Sequence, residues 1–209
     1  MKNAVIVGKG GFARETRWIL DRRRCNSGYW NFCGYIDNET EGEEILGDDS
    51  YLLNIKEKID VFIAIGNPAV RMKLYEKYKE NANIQFPNLI DPAVGISESV
   101  QLGYGNIICA NNVLTVDINI GNFNIINLGC TVGHDVQIGD FNTINPGTNI
   151  SGNVKIDDLT EIGTGTKIIQ GKNIGKGAVL AAGTVITKDV PNSVMVAGVP
   201  GIVKKTYTN

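Results

Sequence analysis

Histidine occurs once in these 209 residues, at His134. A zinc centre that activates water takes about three protein ligands, usually histidines, so no metal cofactor is expected. An excess of charge is also missing: the net charge is −2 and the isoelectric point about 5.5. Such a chain has no global field to draw a phosphate backbone or an anionic membrane, and no nucleic-acid partner is expected. The four cysteines, Cys25, Cys33, Cys109 and Cys130, form no CxxC pair. The apolar run at residues 4–7 is too short for a secretory segment. Reduced thiols and a cytoplasmic localisation are therefore expected. No apolar stretch approaches the ~20 residues needed to cross a bilayer, so no membrane insertion is expected. The composition, 43% hydrophobic and 20% charged, is that of an ordinary folded protein.

What is present divides into two styles. Residues 1–85 alternate short apolar runs with helical patterns. NAVIVGKGGFARETRWIL starts as a strand, turns through glycines and continues as a helix with Phe12, Thr16, Ile19 and Leu20 on one face. FCGYID (32–37) and DVFIAIGN (60–67) read as further strands, and AVRMKLYEKYKE as another helix, which together predict a small Rossmann-like parallel sheet. Gly8, Gly10 and Ala13 fit G-x-G-x-x-A, and Asp37 ends the following strand where a ribose or base contact falls. The motif alone is weak, because glycines also serve a tight strand-to-helix turn. The segment is too short for a full dinucleotide fold and suits a mononucleotide. Gly8, Gly10, Gly11, Phe12, Asp37, Gly66 and Asn67 are the candidate nucleotide contacts.

In residues 86–209 every sixth residue from Ile90 to Ile186 is Ile, Leu or Val. If about one residue in four were of these types, so long a run would arise roughly once in 10^10 trials. This predicts a β-solenoid of hexapeptide repeats. Counting the aliphatic residue as one, position five is often small or apolar and faces inward, as at Cys130, Val136 and Thr160. Position four favours Gly, Asn and Asp, residues that tolerate positive φ, and marks a corner. Position three, with Glu98, Tyr104, Asp140 and Lys176, faces outward. His134 holds position three and Asp135 position four, so the imidazole projects from a corner and is not a core residue. Asp135 shares its row with turn residues and reads equally as a turn former.

These repeats, with GKGGFARE (8–15), VGHD (132–135), PGTNISGNVKI (146–156) and DVPNSVMVAGVPGIVKK (189–205), resemble the left-handed parallel β-helix acyltransferases. The resemblance covers nearly the whole chain. It points to the branch of sialic acid O-acetyltransferases and nucleotide-linked 4-amino-4,6-dideoxy-sugar N-acetyltransferases of the bacillosamine type. It implies a left-handed coil of three hexads, 18 residues, per turn, and a homotrimer with sites between subunits. Eighteen residues beyond His134 stands Gly152, one strand spacing away, expected to leave open space beside the imidazole and to offer a backbone N–H.

The reaction implied is direct attack of a sugar amine on the acetyl-CoA thioester, with His134 as general base, Asp135 beside it, and the Gly152 N–H meeting the oxyanion. The resemblance also places Asn127 near the site, and puts a histidine of some relatives at the position of Thr143. The coenzyme is expected near Gly152, Gly171, Ala182, Gly183, Gly198, Pro200 and Lys204, with Lys205 alongside. The expected product serves surface glycan biosynthesis. A sialic acid O-acetyltransferase using the same histidine, and a noncatalytic structural trimer, are the alternatives. Neither the exact sugar nor its nucleotide (UDP, dTDP or CMP) is legible.

Overall fold

The computed structural model describes residues 1–27, 30–39, 42 and 44–207, without the side chains of 24–27; the Cys25 thiol lies outside the described residues. Its first lobe is a five-stranded parallel sheet in the order β3-β2-β1-β4-β5. The strands are β1 (Lys2–Val7), β2 (Trp30–Ile36), β3 (Ile45–Gly47), β4 (Ile59–Ile63) and β5 (Ile84–Gln85). Helix α1 (Gly11–Ser27) follows β1, α2 (Asp49–Asn54) follows β3, and α3 (Pro68–Tyr78) follows β4. Thr16, Ile19 and Leu20 of α1 are buried, as their helical spacing predicted. The chain runs from β1 outward to β3 and returns to β4 on the other side of β1. The crevice at the carboxyl ends of β1 and β4 is thus the switch point of the sheet, where such folds bind ligands.

The five-stranded sheet ends at Gln85, and the coil's first strand is Leu89–Ile90. From there the chain is a left-handed parallel β-helix. Each two-residue strand ends on the sixth-residue aliphatic and pairs 18 residues on, as Thr131 with Asn149 and Val132 with Ile150. Three faces of five, six and eight strands result, the last closed by the antiparallel hairpin Val194–Ala197 and Ile202–Thr206. The aliphatic column fills the axis, and Cys130, Val136, Thr148, Val154, Thr160 and Thr166 at position five are buried with it. Position four carries positive φ at every corner from Gly105 to Gly183.

Two features of the coil were not anticipated. Four asparagines at 18-residue spacing form a ladder at position five: Asn106 N donates to Asn88 Oδ1, Asn124 N to Asn106 Oδ1 and Asn142 N to Asn124 Oδ1, each at 2.8 Å. At the corner between the five- and eight-stranded faces, the positive-φ column carries Phe123, Phe141 and Leu159 between Gly105 and Gly177. A left-handed conformation costs an L-residue roughly 1–2 kcal/mol, whereas burying a phenylalanine gains about 1.5–3 kcal/mol. The trade favours burial. Phe123 and Phe141 stack 5.1 Å apart and pack with Tyr75 of the first lobe and with Phe86 just after it.

The lobes therefore share apolar interior. Ala13, Ile19 and Leu20 of α1 cluster with Leu89, Ile107, Cys109 and Ile125, which line the outside of the eight-stranded face. The Cys109 thiol, pushed up to about 12 by burial, and Cys130 are packing groups; both are free, as is Cys33. Arg22 of α1 meets the buried Asp91 at 3.2 Å, adding an ion pair to the same seam. No helix among the described residues is long and apolar enough to cross a membrane.

Candidate active site

His134 and Asp135 lie on the corner between the six- and five-stranded faces, after strand Thr131–Val132 and before Gln137–Ile138. Asp135 takes the corner's left-handed conformation, with φ 59°. From there its Oδ2 sits 2.7 Å from His134 Nδ1. Its turn geometry and its contact with the imidazole are thus one arrangement. An ionised carboxylate can only accept, so it holds the Nδ1–H tautomer and leaves the lone pair of a neutral ring on Nε2. Both side chains are more than half exposed, so the ring stands open to solvent.

Gly152 stacks on His134 as the 18-residue coil requires, but the space beside it differs from expectation. A Cβ on Gly152 would stand 2.5 Å from His134 Nε2 and Cε1. The imidazole itself lies across the glycine, so no open slot separates them. The glycine is needed because the ring rests on bare backbone. Among the described residues no group accepts from the Gly152 N–H, whereas at the next corner Asn122 N is capped by Asp140 and Asp140 N by Asp158. Gly171 joins this corner, its N–H donating to Gly152 O at 3.0 Å.

The remaining coenzyme candidates gather elsewhere. Val185 N donates to Gly198 O (3.1 Å) and Gly201 N to Val185 O (2.8 Å), which brings Gly198 and Pro200 of the hairpin turn beside Ala182 and Gly183. That corner, between the eight- and six-stranded faces, carries Gly129, Gly147, Gly165 and Gly183 in a column with nothing within 4 Å of an added Cβ. It is a strip of backbone bare of side chains at these four positions. Residues 177–183, which read as one glycine-rich stretch in the sequence, are split between two corners, because neighbours along the axis are 18 residues apart. A bulge in the hairpin leaves Lys204 without a paired residue, between Val203 opposite Val196 and Lys205 opposite Met195. Lys205 instead lies 4.9 Å from the Tyr207 ring.

Asn127 is on this glycine corner too, one full face away from His134, and its Oδ1 accepts from Leu128 N. Within one chain the two do not meet. Thr143 does not face His134 either: it is buried and donates to Gly66 O at 2.6 Å. A concavity of about 700 Å³ lies on the five-stranded face against Gln101, Asn119, Gln137 and Lys155. None of the predicted site residues lines it.

In the first lobe, Gly8, with φ +100°, ends β1, and a Cβ there would stand 2.8 Å from Ile65 Cδ1. Gly10 and Gly66 face open space across the crevice, with Gly11 exposed beside them. Asp37, at the end of β2, caps Glu39 N through Oδ1. Asn67 caps α3 by accepting from Val70 N. Phe12 is turned into the seam between the lobes. Lys9 reaches Glu39 at 2.7 Å, and that contact holds the glutamate below the usual carboxylate range. Arg71, which the sequence did not single out, lies 1% exposed between the lobes. The available signal was an arginine on the same helical face as Tyr75 and Tyr78.

A Rossmann-like lobe on a left-handed β-helix, with a histidine–carboxylate pair on an outer corner, defines the class of hexapeptide-repeat acyltransferases. The profile of the PglD N-terminal domain family matches residues 3–78. PerB of Caulobacter crescentus, solved with CoA and GDP-perosamine, is 30% identical, with a TM-score of 0.89 over 98% of each chain. WeeI of Acinetobacter baumannii is also 30% identical, with a TM-score of 0.88 over 98% of this chain and 100% of its own. The acetyltransferase domain of PglB from Neisseria gonorrhoeae is 27% identical, with a TM-score of 0.91 over 98% and 100%. No curated protein sequence matches the chain. The chain belongs to the hexapeptide-repeat nucleotide-sugar N-acetyltransferases.

Proposed function

We propose that the protein moves the acetyl group of acetyl-CoA onto the amine of a nucleotide-linked 4-amino-4,6-dideoxy sugar, with His134 as the general base. The observation that carries the residue assignment is the set of three groups on one corner: the solvent-exposed His134 ring, the Asp135 carboxylate that orients it, and the Gly152 N–H beneath it. The amine nitrogen attacks the thioester carbonyl and Nε2 takes the proton released. The Gly152 N–H donates to the oxyanion. The C–S bond then breaks, and the coenzyme thiolate leaves and is protonated by the imidazolium, with no acyl-enzyme.

In this reading the lobe of residues 1–85 holds the nucleotide at the β1/β4 crevice, through the backbone of Gly8, Gly10, Gly11 and Gly66, with Asp37 and Asn67 at its rim. The coil of residues 86–209 performs the transfer. The pantetheine arm lies on the glycine column ending at Gly183, the adenine end near Ala182, Gly198 and Pro200, and the bulged Lys204 toward the phosphates. The nucleotides considered from sequence omitted GDP, which PerB binds with perosamine; GDP joins UDP, dTDP and CMP as a candidate.

The homotrimer of this reading is supported by where the groups lie. His134 and the coenzyme strip occupy different corners of one coil, and in the trimer a second copy brings its glycine corner, with Asn127, against the histidine corner of the first. Val113, Val116 and Ile169 are 42–47% exposed in the single chain around His134, an apolar rim suited to that contact. The cytoplasm, where acetyl-CoA and nucleotide sugars are available together, is the compartment proposed.

The deciding experiment is CoA release over amino sugars linked to GDP, UDP or dTDP, with CMP-sialic acid and free sialic acid as hydroxyl acceptors. Turnover with an amine acceptor supports the reading; turnover with the sialic acids alone makes the protein an O-acetyltransferase.

A further inference from the structure

Among the described residues no carboxylate bonds Arg71 directly; the carboxylate that acts on it, at a distance, is Glu161, beside Thr143 in the coil. The acceptors of Arg71 are five carbonyl oxygens and one hydroxyl. Nη1 donates to Ile65 O and Gly66 O. Nε donates to Phe123 O (2.8 Å), and Nη2 to Phe141 O, Asn142 O and Thr143 Oγ1 (each 3.0 Å). Burial pulls its pKa down to about 9, which leaves it protonated at neutral pH. Burying a charge costs several kcal/mol before its hydrogen bonds are counted, and an apolar side chain of similar volume would fill the same space. What the guanidinium adds is geometry, because its planar fork reaches three carbonyl groups on the coil and two on the first lobe at once.

The two ends of that fork are the proposed substrate crevice and the proposed catalytic coil. Ile65 and Gly66 follow β4 at the switch point. Residues 141–143 lie on the same turn of the coil as His134, separated from it only by strand Gln137–Ile138. The Thr143 hydroxyl closes the circuit by donating to Gly66 O while it accepts from Arg71.

We infer that Arg71, with Thr143, is a positioning residue that fixes the Ile65–Gly66 loop against the His134 coil, so that a sugar held through its nucleotide presents its amine to the base. This rests on the acetyltransferase reading above. The seam then sets the distance between binding lobe and base, and a misplacement of about 1 Å costs on the order of 10^2 in rate.

The test uses full-length Arg71→Lys and Thr143→Val, assayed with the accepted nucleotide-linked amino sugar and with the same amino sugar lacking the nucleotide. The inference predicts that kcat/KM for the linked sugar falls about 10- to 100-fold in Arg71→Lys and about 3- to 10-fold in Thr143→Val. Turnover of the free sugar and the KM for acetyl-CoA should stay within about twofold in the same proteins. Equal losses on both sugars would mean a merely structural role and overturn the inference, as would an unchanged preference for the linked sugar. If Arg71→Lys fails to fold, Thr143→Val decides alone, because it keeps the guanidinium and removes only the bridging hydroxyl. Wild-type protein inactive on every nucleotide-linked amino sugar would overturn the inference and the acetyltransferase reading together; an active wild type with unchanged preference in the variants would overturn the inference alone.

Discussion

Two corners of the same coil share one backbone conformation and put it to opposite uses. Between the six- and five-stranded faces, position four is Asp117, Asp135, Asn153 and Gly171, with φ from 55° to 70°. Between the five- and eight-stranded faces it is Gly105, Phe123, Phe141, Leu159 and Gly177, with φ from 53° to 70°. The first corner is polar and open to solvent, and carries the imidazole. The second is apolar and sealed by α3. The hexapeptide repeat dictates where the chain turns, and what stands on the turn decides whether the corner becomes a reactive edge or an interface.

The sharpest way to break the comparison is at the sealed corner. Phe141→Ala should destabilise the protein by about 3–5 kcal/mol, the usual cost of emptying a buried phenylalanine site, measured by denaturant unfolding. A loss below about 1 kcal/mol would show that the aromatic stack does not join the lobes. For the same reason, removal of residues 1–85 should not release a well-behaved coil. The axial core would survive, but Leu89, Ile107, Ile125 and Phe123 would be uncovered, and light scattering should report aggregates.

At the open corner, Gly152→Ala should leave the unfolding midpoint nearly unchanged and lower kcat by about 10^2 or more, because the new methyl displaces the imidazole from its seat on the glycine. The smallest effect is expected for Asp135→Asn, which tolerates the left-handed turn as well as aspartate does but replaces the carboxylate that selects the tautomer. It should retain wild-type stability while kcat falls roughly 10-fold. Equal kcat would leave Asp135 as a turn residue only.

Much of this was legible in the sequence, and the rest was hidden for physical reasons. The hexad is visible because each strand places one aliphatic residue on the axis, so a local pattern repeats without interruption. Stacking Gly152 on His134 required only the 18-residue coil. What sequence could not show is that the ring lies on the glycine instead of beside a gap, since that depends on a side-chain rotamer set by Asp135. The seam between the lobes was hidden because its members are distant in sequence: Arg71 meets Phe123 and Thr143 across more than 50 residues. The asparagine ladder was within reach, for residues 88, 106, 124 and 142 repeat at 18, but position five was read only for its small and apolar members. The resemblance places Asn127 near the site, and within one chain a full face of the coil separates it from His134.

The most direct test of the central claim is the single-turnover rate of CoA release by His134→Gln, compared with wild type at saturating acetyl-CoA and the accepted nucleotide-linked amino sugar. The account predicts a rate lower by at least ~10^2, the lower range for a positioned general base, with acetyl-CoA affinity unchanged by calorimetry. A rate within a few-fold of wild type would contradict it, and would move the proton acceptor away from the only histidine in the chain.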